Sequence, residues 1–271
     1  MMQRLLTICS YYAAVAAVLA ATCLARTGAD AVQEDKLTNL LARTSKQTSM
    51  FLDQFSDAKC TEQVRQEKLG KDDKVELKED STYDYLVILT DAGGELNLSE
   101  SRIPLHEAKR DRRNTSMLLS NGFATLFLVF HPYYSAAFRF AFLGEEEVAG
   151  QNLEKIHFEH IAGMKSPAAL ALRGREYPLE LSGTAWIEPR TGSIARIEAG
   201  IADTLQDVGL RALSTEIEFA PLRFAGSPDT FWFPTQARVE VETPRQHWRN
   251  LHQFTAYKKF SVSTEEQVIK K

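Results

Sequence analysis

The sequence predicts an α+β domain: a curved antiparallel sheet, an incomplete β-barrel, wrapped around one or more helices. Three observations carry this reading. Residues 179–262 run as successive strands, each with one apolar and one polar face, the pattern of an antiparallel sheet with a single core side. Residues 32–55 repeat apolar side chains at helical spacing and so form one apolar stripe. A stripe of that kind must be buried against another element, and the apolar side of the sheet supplies it.

The elements follow in order. Arg4 is a short positive region, and an apolar run from Leu5 to Leu24 follows it, interrupted by Thr7, Cys9, Ser10 and Thr22. Ala29-Asp30-Ala31 fits the small-residue cleavage pattern, so residues 1–31 read as a signal peptide cleaved after Ala31. That places the chain in the periplasm or outside the cell. A membrane anchor is the competing reading, since a spanning helix needs about 20 apolar residues. Lipid anchoring at Cys23 is disfavoured, because Thr22 stands where a small residue is usual. Residues 32–271 then make a single half-barrel domain, within the ~200–250 residues common for such folds.

In the helix 32–55, Leu37, Leu40, Leu41, Phe51, Leu52 and Phe55 form the stripe, with a polar break at Thr44 to Ser49. Thr61 to Leu69 is strand-compatible, Lys71 to Lys74 is a charged turn, and Val75 to Lys78 is a short strand. Thr82 to Thr90 is a strong strand, rich in β-branched and aromatic residues. Asp91 to Gly94 turns it back into Glu95 to Arg102. Met117 to Phe130 is too short to span a membrane and reads as a buried helix or covering loop, ended by His131-Pro132. Ala136 to Leu143 is a strand with Phe138, Phe140 and Phe142 on one face, and Val148 to Ile161 is its antiparallel neighbour. Lys165 to Pro178 is a connection without a clear period. From Leu179 onward the alternation is regular through Val262.

Composition narrows the function. There are 36 acidic against 32 basic residues, so no nucleic-acid partner is expected. Two of the three cysteines lie in the signal segment, which leaves Cys60 alone and removes both a disulfide scaffold and a cysteine zinc site. His157-Phe158-Glu159-His160 is the best metal candidate, but on a strand His160 points away from His157 and Glu159. No G-x-S-x-G elbow, phosphate-binding glycine loop or H-E-x-x-H helix is present. Glu145-Glu146-Glu147 sits at a turn between strands and reads as solvated. No catalytic residue, metal or cofactor is expected.

Aromatic and β-branched residues concentrate on the strands. They either pack a core or line an apolar cavity between sheet and helix. The candidate lining is Tyr85, Val87, Phe138, Phe140, Phe142, Ile187, Ile197, Ile217, Phe219 and Val239. The basic run Lys109, Arg110, Arg112 and Arg113 is a solvated loop or a contact for a partner or an anionic membrane.

The hairpin Gly183-Thr184-Ala185-Trp186-Ile187-Glu188-Pro189-Arg190-Thr191-Gly192, the strands ending Phe254-Thr255-Ala256-Tyr257, and the Tyr83 to Arg102 hairpin follow a signal peptide and a long helix. This order resembles the outer-membrane lipoprotein-sorting superfamily, with Glu188 where Asp is more usual. The resemblance implies an incomplete antiparallel barrel closed by helices, and a hydrophobic cavity that binds acyl chains without chemistry. The expected function is therefore an exported, non-enzymatic binding protein whose cavity holds a lipid or the acyl chains of a lipoprotein. The alternative is an envelope protein–protein interaction or sensing module with a filled core. A hydrolase on the same shell would need a Ser or Cys beside a His in space. Cavity volume separates the first two.

Overall fold

The computed structural model describes residues 32–92, 95–105, 123–172, 175–205 and 209–260. The expected signal peptide and the basic run at 109–113 lie outside the described residues. The chain divides into two compact units, residues 1–42 and 43–271. Of the first, residues 32–42 are described and are helical.

Ten strands form one antiparallel sheet, in the order β3-β2-β1-β12-β11-β10-β9-β8-β5-β4. They are β1 (Ala58–Leu69), β2 (Val75–Ala92), β3 (Glu95–Pro104), β4 (Phe138–Val148), β5 (Gln151–His160), β8 (Leu181–Ile187), β9 (Ile194–Ile201), β10 (Ala212–Leu222), β11 (Phe231–Glu242) and β12 (His247–Lys259). A small separate hairpin pairs β6 (Ala169–Leu172) with β7 (Arg175–Pro178). The sheet is two meanders, β1–β3 and β4–β12, and one seam joins them. At that seam β1 pairs with β12, from Ala58↔Lys259 to Leu69↔His247. The ends, β3 and β4, do not pair with each other, so the barrel stays open.

Register irregularities in the pairings of β1, β4, β8 and β10 bend the sheet, because each bulge increases the local twist. The β4–β5 hairpin closes through Ala149 and Gly150, both left-handed (φ 51 and 78), the backbone of a type I′ turn. One face of the sheet is apolar because the alternation puts Ala185, Ile197, Ile217 and Ala237 on the same side as Tyr85 and Val87. Residues 43–56 of α1 (32–56) lay Phe51, Leu52 and Phe55 on this inner face, each no more than 6 % exposed. A 3-10 segment, Phe123–Phe130, covers it beside β9, β10 and β11, and a single-turn helix, α2 (Pro132–Ser135), follows.

Several sequence expectations are corrected. The polar stretch Thr44 to Ser49 does not interrupt the helix. Ser49 Oγ donates to Ser45 O of its own helix at 3.2 Å, and Thr44 and Thr48 are buried. The strands expected at Val75 to Lys78 and Thr82 to Thr90 are one strand of 18 residues. Pairing with β1 carries through Glu79 to Ser81, where Arg65 Nε donates to Asp80 Oδ1 at 2.8 Å. Lys165 to Pro178 contains the β6–β7 hairpin. Of Met117 to Phe130, residues 117–122 lie outside the described residues; Phe123–Phe130 is a 3-10 segment in which residues 126–130 are buried.

Candidate functional site

The signature hairpin between β8 and β9 is held by its own glutamate. Glu188 accepts from Thr191 N at 2.7 Å, Thr191 Oγ1 at 2.6 Å and Arg190 N at 3.2 Å. Burial pushes its carboxyl up, but the hydrogen bonds from Thr191 and Arg190 win and hold it below the usual range. Gly192 is left-handed (φ 78), and a Cβ there would lie 2.6 Å from the backbone of Arg43 and Thr44. Arg43 Nε also donates to Pro189 O at 3.0 Å. The hairpin is thus the seat of α1, and its sequence pattern encodes docking.

Beside that seat lies a pocket between Gln47, Thr48 and Phe51 of α1 and Phe127, Ser193, Phe219 and Trp232. Its volume is about 20 Å³, room for about one water. Around it the aromatic side chains touch one another. Phe51 meets Phe127 at 4.7 Å, Phe233 at 5.4 Å and Phe219 at 6.4 Å between ring centroids. Phe55 meets Phe233 and Tyr85. Of the ten side chains predicted to line a cavity, Phe219 borders this pocket. Tyr85, Val87, Phe138, Ile187, Ile197, Ile217 and Val239 are buried, and Phe140 and Phe142 are half-buried on the edge strand β4. Phe138 and Phe140 pack on Phe158 and Phe130, away from the α1 cluster.

The inner face also carries charge, which the sequence reading missed. Glu62 on β1 is fully buried and accepts from Arg102 of β3 at 2.5 and 2.9 Å. His252 of β12, also buried, lies with Nδ1 2.8 Å from the same carboxylate. Arg102 pairs with Glu100 at 3.1 Å and stacks its guanidinium over the Tyr85 ring at 5.1 Å. Burial raises the Glu62 carboxyl, but the bonds from His252 and Arg102 outweigh it and keep it below the usual value. Burial lowers His252 more than Glu62 raises it, so the imidazole is neutral near pH 7 and donates through Nδ1. Cys60, next to this cluster, has its thiol pushed up to about 12 by burial, which makes it an inert core residue. The signal was the alternation itself: Cys60, Glu62, Val64 and Gln66 share one face of β1, and that face is the buried one.

The opposite face is polar and laddered. Lys155 and Arg196 sandwich Trp186 at 5.1 and 4.8 Å, and Lys155 reaches Glu146 at 2.7 Å. Arg196 pairs with Glu198 and Glu216, Arg238 with Glu240 at 2.5 Å, and Arg249 with Glu67 at 2.6 Å. Between these rows Ser182, Gly200 and Ser214 stand level on β8, β9 and β10. Two serines and a glycine thus floor a hollow of about 470 Å³ walled by Glu198, Glu216, Arg238 and Glu240. A second, of about 280 Å³, lies over β1, β2 and β12. Among the described residues no three of His, Cys, Asp or Glu gather to hold a metal. His157 and Glu159 are on the side opposite His160, which is buried against Phe138 at 5.1 Å.

No family model matches this sequence, and no curated protein matches it. Among solved structures, the chain is similar to a DUF1329 family protein from Desulfovibrio piger. The two share 13 % identity and a TM-score of 0.43, over 80 % of this chain and 92 % of that one. It is also similar to a putative outer membrane lipoprotein-sorting protein domain from Vibrio parahaemolyticus. There the identity is 9 % and the TM-score 0.39, over 82 % of this chain and 95 % of that one. A third similar structure is MucB in complex with MucA(peri), at 10 % identity and a TM-score of 0.20, over 85 % of this chain and all of that one.

Proposed function

We propose that this chain is an exported, non-enzymatic binding protein of the cell envelope, and that its partner is another envelope protein held on the polar face of the sheet. One observation carries the reading. The helices pack on the inner face, where Phe51, Phe55, Phe127, Phe219 and Phe233 fill the space against one another, while the hollow of about 470 Å³ lies on the opposite face. An acyl chain gains about 0.8 kcal/mol per buried CH₂, but only where apolar room exists for it. A pocket for about one water beside α1 gives it none until the aromatic side chains withdraw. The polar hollow instead offers fixed donors and acceptors, the chemistry of a protein rim contact. No cofactor or metal enters this reading.

The lipid-carrier reading is the rival, and a photo-crosslinking residue separates the two. Placed at Ser214, in the floor of the hollow, it is expected to capture one discrete envelope protein from intact cells. Placed at Thr48, beside the inner pocket, it is expected to capture none. Labelling of lipid from Thr48, with nothing captured from Ser214, overturns the proposal in favour of a carrier.

A further inference from the structure

Among the described residues, the main sheet joins its two meanders through the β1–β12 seam, and that pairing joins residues about 190 positions apart, as for Glu62 and His252. At its centre the inner face is ionic, where the rest of that face is aromatic and aliphatic. Glu62 of β1 links to β12 through His252 and to the edge strand β3 through Arg102. We infer that this cluster makes the seam acid-sensitive: protonation at His252 loosens β1–β3 from β12 while the β4–β11 meander stays paired.

The geometry supports the inference in three ways. His252 is fully buried, so a second proton on its ring would add a charge with no solvent to stabilise it. That charge would arise beside Arg102, which already holds the Glu62 carboxylate with two nitrogens. And the break would fall where loop closure is hardest to recover, since β1 and β12 do not belong to one hairpin. The charged groups that act on His252 are Glu62 of β1 and Arg102 of β3. β1 opposes it with Val64 and β11 with Ala237, and Phe254 of its own strand stacks on its ring at 6.4 Å, all three uncharged. Burial lowers the imidazole below its ordinary value, with the Glu62 carboxylate opposing. With a depressed value the sign is fixed. The stabilisation is fully present above the ordinary histidine range and is lost as pH falls below it, because the unfolded chain takes up the proton first.

Amide hydrogen exchange of the full chain, corrected for intrinsic rates, tests this between about pH 7.5 and about pH 5. The expected result is that β1 and β12 amides accelerate severalfold more than β8–β10 amides as the pH falls, the sign being set by the lowered imidazole. His252→Asn keeps an N–H for Glu62 but cannot titrate, and it is expected to remove the difference. Uniform acceleration of all strands in the wild-type protein overturns the inference, and so does an unchanged difference in His252→Asn. If that variant does not fold, the wild-type pattern alone decides.

Discussion

Glu62 shows how much rests on a single side chain. It is an ionised carboxylate without exposed surface, stabilised by one guanidinium and one imidazole. Removing the guanidinium leaves the buried carboxylate with the neutral imidazole alone and no counter-charge, so Arg102→Ala is expected to cost about 3–5 kcal/mol in urea unfolding. Replacing Glu62, Arg102 and Glu100 together by Leu, Met and Gln is expected to cost much less, because the buried charges leave as a set. The carboxyl also sets an acid limit. Its folded value is lowered, so its contribution is present above the ordinary carboxylate range and is lost as pH falls through the folded value, below 4.5. At another single position the backbone is suboptimal. Ala149 occupies the first central position of a type I′ turn with φ 51, where Asn is favoured. Ala149→Asn is expected to raise stability by roughly 0.5–1 kcal/mol, read from the urea midpoint. Glu62 was not legible in advance, because a strand rich in polar residues looks solvent-facing until its cross-strand partners are known. Those partners, Arg102 and His252, are 40 and 190 residues away.

Among elements, the β8–β9 hairpin and α1 depend on each other. The hairpin was readable in the sequence from its Gly, Pro and Thr-Gly punctuation, and so was the alternation of β8 to β12. Its load was not readable, because Gly192 meets backbone of Arg43 and Thr44 from the other end of the chain. Gly192→Ala both strains a left-handed residue and drives a Cβ into that backbone. It is expected to destabilise by roughly 2–4 kcal/mol and to release residues 43–56, seen as faster amide exchange there. The helix was legible from its stripe, but its polar middle was misread as a break. Thr44 and Thr48 are buried on the helix side that approaches the hairpin, so a hydropathy pattern scores them as exposed when they are core. β2 was split for a similar reason: Glu79, Asp80 and Ser81 look like a turn, but Arg65 of β1 supplies the pair that keeps them extended.

At the scale of the whole sheet, curvature and an apolar inner face were predictable, because a period of two and a helical stripe require each other. Whether that face encloses a cavity was not, since the same aromatic residues serve a core and a lining equally well. The positions resolve it locally: Phe51 and Phe55 of α1 lie among Phe127, Phe219 and Phe233 and leave a pocket of about 20 Å³ at their border. The polar face keeps the larger hollow, and its charges are paired along the ladder from Glu67 to Glu146. In the proposed division, stability rests on the inner face and binding on the outer one. A titration of the purified chain with a fluorescent long-chain fatty acid tests this division most directly. No saturable binding is predicted. Saturable one-to-one binding that Thr48→Trp abolishes would contradict the division, by showing that the inner face opens to an acyl chain.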